Sequence, residues 1–350
     1  MSITSLDRRR LLVGGGALIG TAALAACTSN TPPEGDTNTN VATAAPNTEP
    51  GPPVTIGFSA PAADHGWIAA IARNAHAQAD QYSDVTLRAT EGTNDVNQQI
   101  AQVETLINDK PNVIAILPFD GAALTAVARQ AMTAGIPVVN IDRIFDSPLA
   151  YRTWIGGDNY GMGVNAGNYI AAELKRRGVS NPVIAEIAGI DSLPLTRQRS
   201  AGFRDALAAN GLSVGPRVSA EFTVESGERQ TANLLQSASK IDAIWNQDDD
   251  QGIGVLAAID AAGRSEFFMV GGAGSSNAME VIKADNGVLK ATVLYSPTMA
   301  SSAISLARLI GQQKGLGDLV EHEVPASITT YSAVVTKDNV DEYESVGFAS

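Results

Sequence analysis

Cysteine and histidine are nearly absent from this 350-residue chain. The one cysteine, Cys27, has no disulfide partner within the chain. Of the three histidines, His76 falls inside a predicted helix and His322 near the end, and neither forms a relay with a nucleophile. Long apolar runs are missing too: past residue 26 nothing approaches the ~20 apolar residues that span a bilayer. No glycine-rich phosphate loop follows the first predicted strand, and Gly271-Gly272-Ala273-Gly274 lacks the spacing and the lysine of a P-loop. Basic residues are scarce, 24 Lys and Arg against 37 Asp and Glu, for a formal net charge of −13. So acidic a chain is a poor binder of DNA or anionic lipid by general electrostatics. Neither a cofactor nor a metal is predicted. Asp248-Asp249-Asp250 offers oxygens suited to calcium but without the alternating spacing of a calcium loop, so Asp249 and Asp250 read as helix-capping or surface charges. An enzyme is not expected, although a carboxylate pair remains open for hydrolysis.

What is present begins with an address. Arg8-Arg9-Arg10 precedes an uncharged, glycine-rich apolar run from Leu11 to Ala26, the layout of an export signal. The paired arginines also resemble a twin-arginine signal, with Asp7 before them. Leu24-Ala25-Ala26-Cys27 resembles a bacterial lipobox, which predicts lipidation of Cys27 and a mature protein held on the outer face of a membrane. Residues 27–53, rich in Thr, Asn, Pro, Ala and Gly, lack the large apolar side chains needed to offset ordering entropy, and are expected to form a disordered tether.

The body alternates strand and helix. Strands are predicted at 54–58, 85–89, 113–117, 138–141, 183–187, 217–222, 241–246, 267–271 and 289–294. Helices are predicted at 67–82, 95–108, 121–134, 160–177, 196–210, 227–238, 252–262 and 276–285. Val96, Ile100, Val103, Leu106 and Ile107 recur at steps of one helix face. Val113 to Leu117 is a continuous apolar run, as for a strand covered on both faces. The expected fold class is α/β: two Rossmann-like lobes with parallel sheets flanked by helices and a ligand cleft between them. Ligands of such sheets sit at the carboxyl ends of the strands. Unusual polar and aromatic residues collect there: Ser59, Asp64, His65 and Trp67 after the first strand, Asp142-Arg143 after the fourth, then Arg197 and Arg199, Phe222, Asp248 and Tyr295. Carboxylates accept from hydroxyls, guanidinium groups donate to them, and aromatic faces cover a carbon chain, a set suited to a polyhydroxylated ligand.

Five segments, in order, resemble the pentose and hexose branch of the type I periplasmic binding proteins, the ribose-binding-protein-like family. They are Ile141-Asp142-Arg143, Gly157-Asp158-Asn159, Thr196 to Phe203 with its Arg-x-Arg-x-x-Gly-Phe pattern, Asn246-Gln247-Asp248-Asp249, and Val334 to Val340. The resemblance covers nearly everything after residue 53. It implies a three-segment hinge near 157–159, 295–297 and 325–328. The lobes would then be 54–157 plus 296–326 and 158–295 plus 327–350. It implies Asp142, Arg143 and Arg199 as ligand contacts, with Asp248 and Tyr295 standing where the ribose binder has asparagine and glutamine, and Trp67 and Phe222 near its stacking phenylalanines. Ala273 departs from the family pattern, removing a ligand carboxylate that Asp248 would replace, so ribose is not carried over. The implied function is capture of a small sugar or sugar alcohol by a monomeric extracytoplasmic lipoprotein for an ABC transporter permease. The alternative is a receptor for a chemotaxis or signalling partner. A sugar-sensing repressor shares this body but would carry a basic helix-turn-helix where this chain has a signal and tether.

Overall fold

The computed structural model of the protein describes residues 49–316 and 324–350. The predicted signal at 1–26, the lipidation site Cys27 and most of the tether lie outside the described residues.

The first lobe runs β1 (Val54–Ser59), α1 (Gly66–Asp80), β2 (Val85–Ala89), α2 (Val96–Asn108), β3 (Val113–Ile116), α3 (Gly121–Thr133), β4 (Val138–Ile141) and β5 (Thr153–Gly157). The second follows as α4 (Asn159–Arg176), β6 (Ile184–Ala188), α5 (Pro194–Ala209), β7 (Val214–Ser219), α6 (Val224–Ser237), β8 (Ala243–Asn246), α7 (Asp249–Ala261), β9 (Phe268–Ala273), α8 (Ser276–Ala284) and β10 (Leu289–Leu294). The chain then returns to the first lobe with α9 (Met299–Gly311) and β11 (Ser327–Thr330), and ends in the second with β12 (Val334–Thr336) and α10 (Val340–Tyr343). Each lobe holds a six-stranded sheet, ordered β11-β5-β4-β3-β1-β2 and β12-β10-β9-β8-β6-β7. All pairings are parallel except β10 with β12. Both sheets reverse direction of growth beside their first strand, at β1/β3 and β6/β8, which opens a crevice at the carboxyl ends in each lobe.

Central strands β3, β4 and β8 are buried along their whole length: β3 is an unbroken apolar run, and β4 and β8 each add one buried asparagine, Asn140 and Asn246, that donates to a backbone carbonyl. The edge strands β2 and β7 alternate instead. Strand β7 starts at Val214, not at the expected 217, and stops before Phe222. Pro216 reads as a strand breaker, yet at a sheet edge its missing N–H costs no ladder bond. Strand β11 continues the first sheet, pairing Ser327–Thr330 with Trp154–Gly157, so the chain changes sheets at 331–333, later than the expected 325–328. Its Ser-Ile-Thr-Thr sequence is half exposed and carries little apolar signal.

The tether reading fails at its last residues. Arg308 forms a buried bidentate pair with Asp84, with Nε to Oδ1 at 2.7 Å and Nη2 to Oδ2 at 2.6 Å. Around that pair the Gly51 N–H donates to Asp84 Oδ2 (2.5 Å), Arg308 Nη2 to the Glu49 carbonyl (2.8 Å) and Gln312 Nε2 to the Pro52 carbonyl (3.0 Å). Residues 49–52 are therefore fastened at the amino ends of β1 and β2, opposite the cleft. Among the described residues no helix is long and apolar enough to cross a membrane.

Candidate ligand site between the lobes

Loops at the carboxyl ends of both sheets meet at a cavity lined by His65, Trp67, Asp142, Arg143, Leu195, Arg199, Phe222, Asp248, Ala273 and Tyr295. The first lobe supplies His65 and Trp67 from the start of α1, and Asp142 and Arg143 from the turn after β4. The second supplies Leu195 and Arg199 from α5, Phe222 from the turn after β7, Asp248 from the turn after β8, and Ala273 from the end of β9. Tyr295 stands on the passage that follows β10.

Three lining residues, Asp142 (φ 56°), Phe222 (φ 63°) and Ala273 (φ 86°), hold left-handed backbone. Such conformations cost about 1–3 kcal/mol each and collect where a side chain must be aimed. The Phe222 ring also needs a glycine beneath it: a Cβ on Gly189 would lie 2.0 Å from its Cζ.

Tyr295 is the junction of the site. Its hydroxyl donates to Asp142 Oδ1 in one lobe and accepts from Asn159 Nδ2 (3.1 Å) in the other. Arg199 is 4 % exposed; its Nε donates to Asn159 Oδ1 (2.9 Å), its Nη1 to the Gln247 carbonyl (3.2 Å), and its guanidinium lies 4.5 Å from the Tyr295 ring centre. Burial pushes the Tyr295 phenol up, and the Asp142 charge adds to that. Arg143 donates Nη1 to the Phe119 carbonyl (2.7 Å), while its buried Nε has no protein partner. Burial draws the Arg143 guanidinium down, opposed by Asp142 and Asp64. Two guanidinium groups and two carboxyl groups thus face one small space from opposite lobes, with spare donors and acceptors.

The lobes also touch directly. The Trp67 N–H donates to Asp250 Oδ2 (2.8 Å), and its Nε1 donates to the Tyr295 carbonyl (2.8 Å). His65 stacks on Phe222 with ring centres 6.5 Å apart. Burial pulls the His65 imidazole down, but the Asp64 hydrogen bond and the charges of Asp248 and Asp250 win and raise it.

The acidic run differs from its sequence reading. Asp248 caps α7, accepting from the N–H groups of Asp250 (2.9 Å) and Gln251 (3.1 Å), and also lines the cavity. Asp249 and Asp250 are not surface charges: they are 4 % and 3 % exposed. Asp249 accepts from the N–H groups of Gly272, Gly274 and Ser275 and from the Thr292 hydroxyl, which fixes the loop carrying Ala273. Burial pushes both Asp248 and Asp249 up to about 7, against the hydrogen bonds they accept.

Two expected site residues sit elsewhere. Ser59 is fully buried beneath the sheet end, where Gln99 Nε2 donates to its Oγ (3.2 Å), and it is absent from the cavity lining. Asp64 lies outside the lining and acts on His65 Nδ1 (2.5 Å) and Asn94 Nδ2 (2.7 Å). Leu195 and Asn159 were not named as site residues from sequence, and Asp250 was read only as a helix-capping or surface charge. Asn159 stood inside the Gly157-Asp158-Asn159 segment and could have been found there; Leu195 carries no such signal.

Two α/β lobes with a cavity lined by charged and aromatic side chains between the ends of their parallel sheets define a bilobal small-molecule binding protein. Residues 56–314 match the family described as periplasmic binding protein domain, and the chain belongs to that family. It is 28% identical over 245 residues to the ribose import binding protein of Bacillus subtilis, covering 70% of this chain and 77% of that one. It is 24% identical over 303 residues to the galactofuranose-binding protein of Escherichia coli, covering 85% and 93%. Among solved structures, an ABC transporter solute binding protein from Mycobacterium smegmatis with bound glycerol superposes with a TM-score of 0.73 at 25% identity, covering 85% of this chain and 99% of that one. These relatives are binding proteins rather than enzymes.

Proposed function

We propose that the protein captures a small sugar or sugar alcohol between its lobes, outside the cytoplasm, and delivers it unchanged to the permease of an ABC importer. The observation that carries this reading is the pairing across one cavity of Asp142 and Arg143 with Arg199 and Asp248. Tetritols, pentitols, pentoses and hexoses all present hydroxyls to such a set, and Trp67, Phe222 and Tyr295 cover their C–H faces. The ribose and galactofuranose named for the relatives agree with this class, and the importer name favours a permease over a signalling receptor as partner. The protein acts as a monomer held to the outer membrane face through lipid on Cys27, and closes by rotation at the three passages between its sheets.

The test is thermal unfolding against a panel of alditols, aldoses and aldonates. A ligand at 100 times its Kd stabilises the folded state by about 2.7 kcal/mol. The expected result is a melting rise with one stereochemical subset and recovery of that compound unaltered by chromatography. No rise with any panel member, or a product whose formation needs Asp142 or Asp248, would overturn the reading.

A further inference from the structure

We infer that Asp250, which does not line the cavity, positions two residues that do: it caps the N-terminus of helix α1 from the opposite lobe, and sets His65 and Trp67 against the ligand only when the lobes meet. This rests on the closing cleft proposed above and adds a residue to the closing.

Helix α1 starts without a side-chain cap of its own. The first N–H groups of a helix have no partner within it, and a Ser, Thr, Asp or Asn at the cap position normally accepts from one of them. Two neighbours in the first lobe follow that rule. Asp95 accepts from the N–H groups of Asn97 and Gln98 at the start of α2, and Asp120 from that of Ala123 at the start of α3. At α1 the cap position holds His65. Its backbone is extended, but its side chain makes no cap bond, and no acidic residue stands in the first turn. The imidazole is turned elsewhere, with Nδ1 2.5 Å from Asp64 Oδ1 and its ring stacked on Phe222.

Asp250 takes that place. Its Oδ2 accepts the Trp67 N–H at 2.8 Å, the bond a cap residue makes to the second residue of its helix, from 183 positions along the chain. The carboxylate also puts negative charge at the positive end of α1. Gly66 permits the approach, since a Cβ there would lie 2.6 Å from Asp250 Oδ1. Asp250 is itself buried and held in the first turn of α7, its N–H donating to Asp248 Oδ1 (2.9 Å). The bond crosses the cleft, so a rotation that parts the lobes breaks it. The first turn of α1, which follows His65 and carries Trp67, then loses its cap. Opening loosens two walls of the cavity, and closing fixes them.

Amide hydrogen exchange of the full, ligand-free chain, isotopically labelled on its three tryptophans, tests this. Trp154 and Trp245 lie in β5 and β8, one in the sheet of each lobe, and report on the fold as a whole. In Asp250→Ala the Trp67 N–H should exchange about 5- to 30-fold faster, the worth of a cap, with the other two within about twofold of wild type. Asp250→Asn keeps an acceptor of the same reach and should leave Trp67 within about threefold of wild type. If all three amides quicken together in the alanine variant, Asp250→Ser, whose side chain ends too short to reach α1, is read in its place. Stopped-flow release of erythritol, ribose and glucose gives the second readout. In Asp250→Ala, koff of a bound compound should rise by the same factor while kon stays within about threefold, because the lobes must part before ligand leaves. Trp67 exchange within about twofold of wild type, an asparagine variant as fast as alanine, all three amides quickening in the serine variant too, or an unchanged koff, would each overturn the inference and leave sugar capture intact. Binding of none of the three compounds would strike the sugar reading, and the exchange result would still decide the cap.

Discussion

Arg199→Ala separates ligand binding from folding. The side chain spends Nε on Asn159 and Nη1 on the Gln247 carbonyl, while its guanidinium lies against the Tyr295 and Phe222 rings on the cavity side. Alanine removes one of the cavity's two guanidinium groups, leaving Asp248 and the ligand oxygens on the second lobe's side without their charged donor while Arg143 remains on the first. Losing one partner of such a buried set costs about 2–5 kcal/mol. At about 1.4 kcal/mol per decade, that weakens Kd by roughly 30-fold to several thousand-fold. The ligand-free protein loses two hydrogen bonds from a charged donor, to the buried Asn159 side chain and Gln247 carbonyl. An acceptor left unpaired costs about 1–3 kcal/mol, and at about 2–4 °C per kcal/mol the melt should fall by several degrees and remain cooperative. Calorimetric titration gives the first quantity and scanning calorimetry the second. A Kd within about threefold of wild type, with a depressed melting temperature, would make Arg199 a pillar of the second lobe and not a ligand contact. Arg143→Lys should fail with it, since an ammonium cannot reproduce the guanidinium fork.

Asp84→Asn breaks a buried ion pair and should cost about 3–5 kcal/mol. It should also expose the bonds before Val54 to protease; equal cleavage in both proteins would argue against the latch. Because Arg308 holds the Asp84 carboxyl below its ordinary value, its stabilisation is full above about pH 4 and is lost as pH falls through the depressed folded value. The variant should therefore show a shallower acid slope, and parallel slopes would refute the linkage. In Gly66→Ala, the new Cβ meets the Ala349 carbonyl at 2.5 Å and Asp250 Oδ1 at 2.6 Å, so the lobes should not seat. Scattering with saturating ligand should show a less compact particle than wild type, and equal compaction would refute this. Cys27→Ser should move the protein from the membrane fraction to the soluble one; unchanged retention, with no lipid mass on the wild type, would exclude the anchor.

The alternation of elements was legible because buried parallel strands announce themselves as apolar runs, unbroken in Val113–Ile116 and interrupted only by Asn140 in Val138–Ile141. Edge strands gave a weaker signal: β7 was expected from residue 217 and starts at Val214, and β11 has Ile328 as its one apolar residue. Helix α9 and strand β5 were not read from the pattern at all. Position after a strand pointed to Asp142 and Arg143, which the structure brings to the cavity. The same rule failed for Ser59, because it fixes where a residue sits and not which way its side chain turns. The roles of Asp249 and Asp250 depend on partners far along the chain, Thr292 and Trp67, and local sequence cannot show them.

The bidentate Asp84–Arg308 pair has a mechanical meaning. It clamps residues 49–52 to the amino ends of β1 and β2, on the side of the first lobe remote from Tyr295 and from all three passages between the sheets. A pull arriving along the N-terminal chain is taken up by that clamp and delivered to one rigid body. With the proposed lipid anchor, the second lobe would bear none of that load and would keep its position against the first under tension as at rest.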